Sequence, residues 1–542
     1  MSATPTSRPE PAAATAYEDA RLESMGYEAE LPRHLSMLSI FGLSCAIIAV
    51  PFGASTTLSI TLVNGESVSI IYGWILVTLI SLCIAASLAE ICAVFPTAGG
   101  VYYWSAILCN ERYAPVASWI TGWLLLVGNW MSTCSITFGG SQLILSAVSL
   151  YKPDWVASPI QTVLTFWAVV LVCFLFNAFG SKYLDIVNKL CVYWTAATSL
   201  IVLVVLFSMG HITRDAKYVF SHFDASRSGW PDGWSFCVGM LQATFTLTGY
   251  GMVAAMCEEV QNAEREVPRA MVLSVVASGI TGLLWFIPIL FVLPDITALL
   301  DLANGQPIGA IFMAATGSAG GGLGLLILII GVMIFAAIAA MATSSRCVYS
   351  FARDGAIPGS HYFRRIDERF QVPMLGLALS AVIICLIGLI YLGSATAFNS
   401  FTGVTAICLS LCFGSPVLIS LLRGRKLVKN STYSLGKLGY PVNIISVCWI
   451  CFALVLFCMP VSVPVEPTNM NYASVVIAAF AIVSVVWYMI SGRKHFSGPP
   501  VRGNIDSSGA VVLEGREYEP EDPIKLAAMP PKSGEDAAGN KV

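Results

Sequence analysis

Long apolar stretches, separated by short polar segments, make up most of this chain between Leu38 and Ile490. Roughly 20 apolar residues cross a bilayer as a helix, and about twelve stretches of that kind can be marked. Their approximate bounds are 38–63, 68–94, 116–149, 160–179, 185–210, 233–257, 268–293, 322–345, 372–392, 397–422, 440–461 and 471–491. The pattern predicts an all-α integral membrane protein with about twelve transmembrane helices, called spans 1 to 12 below.

Composition leaves little chain for a soluble domain. The 542 residues are 56% hydrophobic and 11% charged, and the mean hydropathy is +0.75. We expect a disordered cytoplasmic tail over residues 1–34, a transporter domain over 35–495 and a second disordered tail over 496–542. The first 34 residues lack the basic-then-apolar layout of a signal peptide.

Lysine and arginine residues are distributed unevenly between the two sides of the predicted bundle. The side that holds both termini carries 25 of them, and the opposite side carries four. By the positive-inside rule, both termini face the cytoplasm. The sequon at Asn430 then lies in a cytoplasmic loop and should remain unglycosylated. The plasma membrane is the expected location, with a vacuolar membrane as the alternative, and neither tail has an arginine-rich block that would indicate nucleic-acid binding.

Two spans are interrupted near their middle. Span 1 contains Pro51-Phe52-Gly53, and span 6 contains Gly249-Tyr250-Gly251. Because unpaired backbone groups are costly in hydrocarbon, a broken helix persists there only where it lines a cavity. Breaks that lie five spans apart are expected of an inverted repeat with a binding site at the repeat interface. The alternative is a pair of ordinary Pro and Gly kinks.

The half-helices that follow such breaks would direct free N–H groups towards the membrane midplane. Carbonyls released before each break could accept from an ammonium, so the arrangement suits a small zwitterion. The substrate-binding candidates at the two breaks are Phe52, Gly53, Ala54, Ser55, Thr248, Gly249, Tyr250 and Gly251.

Span 3 supplies a candidate third wall. Polar side chains recur there every fourth residue and form one stripe, at Asn129, Thr133, Thr137 and Ser141. Asn129 and the adjacent Trp130 lie nearest the predicted midplane and are the substrate-binding candidates of this span. Close helix packing through small residues is the alternative explanation of the stripe, above all for its last two members.

Carboxylates within apolar spans are functional candidates because a charge in the bilayer is costly. Glu90 lies in span 2, and Glu258 and Glu259 directly follow the apolar stretch of span 6. They could relay protons for coupling, or they could be clamped by arginines. The arginines considered for the clamp are Arg269, Arg346 and Arg353.

Three separated segments carry a resemblance to a known family. They read SLAEICAVFPTAGGVYYWSA after span 2, EEVQNAEREVPRAM after span 6 and SFARDGAIPGS after span 8. The chain resembles the amino acid–polyamine–organocation permeases over about residues 35–495, and more narrowly the fungal amino acid/choline transporters. The resemblance implies a five-plus-five inverted repeat with discontinuous helices 1 and 6, two additional helices and secondary active transport.

The resemblance also implies roles for the break residues. Phe52, Gly53 and Ala54 match the unwound first helix, residues 248–251 match the unwound sixth, and Tyr250 is a candidate aromatic lid. The chain departs from the family at residues 50–53, which read Val-Pro-Phe-Gly where many relatives have a twin-glycine break. This departure disfavours an ordinary alpha-amino acid and favours gamma-aminobutyrate or choline.

The two substrates make different demands on the site. A quaternary ammonium needs aromatic faces, which Phe52, Trp130, Phe245 and Tyr250 could supply. A carboxylate would depend on the half-helix starts, because the mid-span regions hold no lysine or arginine. The segment EEVQNAEREVPRAM is more similar to gamma-aminobutyrate permeases, so gamma-aminobutyrate or a related amino acid is the first prediction and choline the second.

The coupling ion is open at this stage. In sodium-coupled relatives the ion lies between helices 1 and 8, where Thr343, Ser344 and Ser345 would supply hydroxyls. In some proton-coupled relatives a lysine of helix 5 takes that role, and Lys189 is the candidate, although it lies near the cytoplasmic end and could extend to the surface. The fungal resemblance favours proton symport.

Other functional classes find less support in the sequence. The five histidines all fall in loops or tails with no metal-site spacing, so no enzyme or cofactor site is predicted. A nutrient sensor built on a transporter fold would usually carry a long structured tail, whereas the tails here are short. Transport is therefore the prediction.

Overall fold

The computed structural model describes residues 18–500 apart from 20, 24, 29, 32, 211–213, 303–304, 394–396, 430 and 467–469, and also 504–505 and 511–512. The chain divides into a unit of residues 31–499 and a unit of residues 1–30 with 500–542. In the second unit, strands Asn504–Ile505 and Val511–Val512 pair antiparallel. The Asn430 sequon and most of the predicted tails lie outside the described residues.

The larger unit is built from twelve helical spans within the described ranges. Their bounds are Met37–Ile48, Val50–Thr56 and Leu58–Val63 for span 1; Glu66–Val94 for span 2; Ala114–Ser149 for span 3; Pro159–Phe179 for span 4; Leu184–Met209 for span 5; Asp232–Gly239, Leu241–Leu247 and Thr248–Glu259 for span 6; Ala263–Phe291 for span 7; Ala319–Arg353 for span 8; Met374–Gly388 and Leu389–Leu392 for span 9; Ala397–Leu422 for span 10; Gly439–Leu456 for span 11; and Ala473–Trp487, Tyr488–Gly492 and Arg493–His495 for span 12. Short helices connect them at Gly100–Leu108, Ser181–Tyr183, Ala216–Ser221, Ile296–Leu300, Pro307–Thr316, Ser360–Phe363, Lys426–Val428 and Gly436–Leu438.

Eleven of these spans, counted over the described residues, are long and apolar enough to cross a membrane. Span 3 is the exception, although its helix of 36 residues is the longest of the twelve. Its glycines, hydroxyl residues and tryptophans lower its hydropathy, and most of its side chains are buried against other helices. The prediction of an all-α membrane protein is confirmed.

The contacts between spans have the order that a repeat of five helices would produce. Each of spans 1 to 4 contacts the span five positions later, and the contact between spans 3 and 10 has a counterpart between spans 8 and 5. Interactions related in this way are those that two copies of one five-helix unit would make. The arrangement brings the interrupted spans 1 and 6 together inside the bundle.

Span 8 extends further than its apolar stretch. The sequence predicted 322–345, whereas the helix ends at Arg353 and includes Arg346. The predicted span ended before Arg346, because a charged residue normally ends an apolar stretch. Arg346 is nevertheless only 1% exposed, and its pairing with Glu259 allows this burial. Its charge therefore lies inside the helical bundle.

Candidate functional site

The interruption of span 1 lies at Ala49, two residues before the predicted Pro51-Phe52-Gly53. Ala49 is left-handed, with φ 44° and ψ 53°, a conformation that costs an L-residue roughly 1–2 kcal/mol. The helix resumes at Val50, so Pro51 occupies its first turn. Proline suits that position because the first helical N–H groups have no intrahelical acceptor. Pro51 therefore marks the start of the second half-helix rather than the break.

Span 6 changes helix type instead of unwinding. The α-helix Leu241–Leu247 passes directly into a 3₁₀-helix, Thr248–Glu259, of twelve residues. Runs of 3₁₀-helix beyond three or four residues are uncommon, and within a longer helix they often mark a hinge or strain. The predicted unwound backbone at Gly249-Tyr250-Gly251 is therefore replaced by the first turn of this tighter helix.

Two glycines allow the interrupted spans to approach each other closely. A Cβ on Gly53 would lie 2.9 Å from Cγ2 and from Oγ1 of Thr246, and a Cβ on Gly249 would lie 2.6 Å from Cγ2 of Ile47. Real Cβ atoms essentially never show such distances, so a side chain at either position would require the facing Thr246 or Ile47 to shift. At the crossing of spans 1 and 6, each span thus places a glycine against a side chain of the other.

A small cavity lies at this crossing. Its volume is about 10 Å³, near the minimum that one water molecule requires. Spans 1, 3, 6 and 10 contribute its lining residues, Ile47, Ile48, Ala49, Phe52, Gly53, Ser132, Ile136, Phe245, Thr246, Thr248, Gly249, Thr405 and Leu409. None of these described residues is ionisable. The cavity has an uncharged lining, and at this volume it could hold a substrate only if the helices moved apart.

Four of the substrate-binding candidates line this cavity, namely Phe52, Gly53, Thr248 and Gly249. Ala54 and Ser55 lie further along span 1 and outside the lining. The Ser55 hydroxyl donates to the Pro51 carbonyl at 2.5 Å. Hydroxyls in helices commonly bond back to the preceding turn, and this one is therefore committed to the backbone rather than presented to a ligand.

Gln242 joins the second half of span 1 to the first half of span 6. Its Nε2 donates to the Ala54 carbonyl at 2.7 Å, and its Oε1 accepts from Oγ1 of Thr61 at 2.5 Å. Both atoms of the buried amide are satisfied, as a buried polar group requires. This bridge was not predicted from sequence, where a lone glutamine in an apolar span is the one signal that could have indicated it.

Tyr250 and Gly251 lie on the other side of span 6 from the cavity. The Tyr250 ring centroid is 5.6 Å from that of Phe413 in span 10, and a Cβ on Gly251 would lie 2.5 Å from the Phe413 ring. Tyr250 therefore packs as part of the interface between spans 6 and 10 in this closed arrangement. The lid expected of Tyr250 is not formed here.

Span 3 presents a different face to the cavity from the one predicted. Asn129 donates to the Leu125 carbonyl at 2.8 Å, and its own carbonyl accepts from Ser344 of span 8 at 3.1 Å. The lining residues of span 3 are instead Ser132 and Ile136, which start three positions later on the helix. The polar stripe at Asn129 thus packs against span 8, as the helix-packing alternative proposed.

Trp130 also lies away from the cavity. Its Nε1 donates to Oγ of Ser380 in span 9 at 3.1 Å, and its ring centroid is 6.4 Å from that of Phe480 in span 12. Of the four aromatic residues considered for a cation cage, Phe52 and Phe245 line the cavity, whereas Trp130 and Tyr250 do not.

Span 10 contributes wall residues that the sequence analysis missed. Thr405 and Leu409 face the cavity and lie four positions apart, on one side of their helix. Thr405 is one of several hydroxyl residues in span 10, with Thr402 and Ser410 nearby. That signal is weak, because a threonine in a membrane helix equally often serves helix packing.

The three carboxylate candidates, Glu90, Glu258 and Glu259, are buried and all pair with arginines. Glu258 accepts two hydrogen bonds from Arg353, at 2.9 and 3.1 Å, and one from the Ala98 N–H at 3.0 Å. Glu259 accepts from Arg346 at 2.9 Å. Two of the arginines considered for the clamp thus meet carboxylates of span 6.

Glu90 has a partner that was not considered. Its Oε1 accepts from Nη2 of Arg425 at 2.6 Å and from the Leu435 N–H at 2.9 Å. Arg425 follows span 10, so the pair fixes the segment between spans 10 and 11 to span 2. Arg269, which was considered as a partner, is largely exposed and lies 3.6 Å from Glu266.

The remaining coupling candidates are committed to local contacts. Nζ of Lys189 lies 2.7 Å from Oδ2 of Asp185, and its side chain is 37% exposed, in keeping with its extension to the surface. The Thr343 hydroxyl donates to the Ala340 carbonyl at 2.9 Å. The Ser344 hydroxyl donates to the backbone carbonyl of Asn129 in span 3.

Comparisons with known proteins agree with this architecture. A family model described as amino acid permease matches residues 35–480. The amino-acid permease BAT1 of Arabidopsis thaliana is 32% identical, over 88% of this chain and 95% of the plant protein. The polyamine transporter TPO5 of Saccharomyces cerevisiae is 34% identical, over 89% and 79%. A choline transporter of the same yeast is 30% identical, over 86% and 83%. The chain therefore belongs to the amino acid permease family within the amino acid–polyamine–organocation superfamily, and it is a membrane transporter rather than an enzyme.

Proposed function

We propose that this permease imports a small amino compound by proton symport, with gamma-aminobutyrate or a related amino acid as the substrate. The observation that carries the proposal is the cavity at the crossing of spans 1 and 6. It has hydroxyl and phenyl groups in its wall, and no ionisable side chain among its described lining residues. A charged small molecule in such a cavity has to be held by helix ends, hydroxyls and rings.

The ammonium group of the substrate has several suitable partners. The carboxyl-terminal end of the helix Met37–Ile48 lies at the cavity, and the unpaired carbonyls of a helix end attract a cation. The rings of Phe52 and Phe245 add cation–π attraction, worth about 0.5–2 kcal/mol per ring. At the start of the second half-helix, Pro51 has no N–H and the N–H groups of Phe52 and Gly53 donate to the Ala49 carbonyl, so only the Val50 N–H is left there for the carboxylate of the same molecule.

Choline is the second candidate. The two phenyl rings and the absence of a charged residue in the described lining favour it, because a quaternary ammonium has no N–H to donate and needs aromatic faces rather than hydrogen-bond acceptors. The similarity to a yeast choline transporter supports the same candidate.

We place the protein in the plasma membrane with both termini cytoplasmic, in keeping with the distribution of lysine and arginine. The proton is our proposed coupling ion. The resemblance to the fungal amino acid/choline transporters supports it.

Uptake of labelled gamma-aminobutyrate by transporter-deleted yeast that expresses the chain tests the proposal. Uptake is measured at acidic and at neutral external pH, with sodium replaced by potassium, and with unlabelled choline as competitor. We expect uptake that rises at acidic pH, does not need sodium and is insensitive to choline. Uptake of labelled choline without uptake of gamma-aminobutyrate, in cells with normal surface expression, would select the second candidate.

A further inference from the structure

The hydroxyl groups of the cavity wall differ in what they can offer a ligand. Thr246 donates to the Gln242 carbonyl at 2.8 Å, and Thr405 donates to the Phe401 carbonyl at 2.9 Å. Thr248 likewise donates to the carbonyl four residues before it. A hydroxyl has one hydrogen and two lone pairs, so each of these threonines has only acceptor capacity left.

Ser132 is different. Its hydroxyl lines the cavity and forms no hydrogen bond with any residue that the structure describes, and the residue is only 5% exposed. Buried polar groups in folded proteins are normally hydrogen-bonded, so an unpartnered hydroxyl on the wall of a cavity is available to a molecule that enters the cavity. Ser132 is also the one lining side chain, among those described, whose hydrogen is free to be donated.

This division of donors and acceptors matches the two ends of a zwitterion. The threonine oxygens can accept from an ammonium, and they cannot donate to a carboxylate without breaking their own bonds. A carboxylate only accepts hydrogen bonds and therefore needs a donor such as the Ser132 hydroxyl. Hydrogen bonds to charged groups are worth more than those between neutral groups.

We infer that Ser132 is a specificity-determining residue, whose hydroxyl binds the substrate carboxylate and so distinguishes an amino acid from the corresponding bare amine. The inference rests on the proposed function, because it assigns one end of the proposed substrate to one residue. With alanine at position 132, the permease would bind amines but lose its advantage for their carboxylated counterparts.

The test compares pairs of compounds that differ only in the carboxylate. Gamma-aminobutyrate is paired with n-propylamine, and glycine betaine with tetramethylammonium. Dissociation constants are measured by calorimetry on the purified full-length protein. The variants are Ser132→Ala and a matched control, Thr405→Val, which removes an acceptor from the same cavity.

For Ser132→Ala we expect the Kd of the carboxylated compound to rise about tenfold or more, with the Kd of its partner nearly unchanged. Thr405→Val should weaken gamma-aminobutyrate and n-propylamine alike, because both donate from an ammonium group. Equal loss for both members in Ser132→Ala, or no advantage for the carboxylate in the wild-type protein, would overturn the inference. If gamma-aminobutyrate binds, and if Ser132→Ala still binds it more tightly than n-propylamine by the wild-type ratio, the inference about Ser132 fails while the proposed function stands. If the wild-type protein binds none of the four compounds, the proposed function fails with it.

Discussion

The buried ion pair between Arg346 and Glu259 gives a sharp test of how spans 6 and 8 are held together. Nε of Arg346 lies 2.9 Å from Oε1 of Glu259, and the two side chains are 1% and 2% exposed. Removal of one partner leaves the other as a buried, uncompensated charge. Such losses typically cost about 3–5 kcal/mol. We predict a loss of that size in the free energy of unfolding for either Arg346→Gln or Glu259→Gln.

The double variant distinguishes an ion pair from two independent polar residues. Replacement of both partners by leucine removes both charges, and exchanges of this kind are often nearly neutral or even stabilising. The double variant should therefore be more stable than either single variant. Some cost remains, because Arg346 also donates to Oγ of Ser345 at 3.2 Å.

Thermal unfolding of the detergent-solubilised protein, followed by size-exclusion chromatography of a fluorescent fusion, measures these differences. Arg269→Gln is the matched control, since it removes the same charge from an arginine that is 57% exposed and 3.6 Å from Glu266. Exposed ion pairs contribute about 0–1 kcal/mol, so the control should unfold close to the wild type. The reasoning is refuted if Arg346→Gln is no less stable than Arg269→Gln, or if the double variant loses as much as the two single variants together.

Three further predictions concern spans 1 and 6 and the loop between spans 5 and 6. Gly249→Ala places a Cβ within 2.6 Å of Ile47, so it should reduce the maximal uptake rate strongly, which kinetics at normal surface abundance would measure. Gln242→Leu removes the buried amide bridge between spans 1 and 6 and takes away the donor to the Ala54 carbonyl. It should lower the free energy of unfolding by about 1–3 kcal/mol, measured by thermal unfolding. Undiminished stability would count against a stabilising role of the bridge. Hydrogen bonds from Ser226 lower the pKa of Asp224. The Asp224 carboxylate therefore stabilises the protein fully above the ordinary carboxyl pKa, and this contribution is lost as the pH falls through the lowered pKa. The stability difference between wild type and Asp224→Asn should shrink in acid, and a difference that stays constant with pH would contradict this role of Asp224.

The spans were predictable because their signal is redundant. Twenty or so apolar residues each contribute to a membrane helix, so a few exceptions do not hide it. The span that differed most, span 8, did so at Arg346 and Arg353, where pairing with Glu259 and Glu258 allows a charge to lie inside the bundle. Pairing across distant parts of the chain has no local signature, and the sequence therefore could not indicate which arginine meets which carboxylate.

The candidate site was predicted only in part, because a break can be recognised from composition while the direction of a side chain cannot. Pro51 correctly indicated an interruption of span 1, yet it occupies the first turn after the break rather than the break itself. Asn129 and Ser132 lie three positions apart on one helix, and only the packing of span 8 decides which of them faces the cavity. Thr405 was missed for the same reason.

The central claim is that the substrate binds in the cavity at the crossing of spans 1 and 6. Electron cryomicroscopy of the full-length protein with saturating gamma-aminobutyrate tests it most directly. We expect density for the ligand between the ring of Phe52 and the hydroxyls of Thr246 and Thr405, in a cavity wider than the present 10 Å³. Ligand density at a different place, with this crossing still closed, would contradict the account.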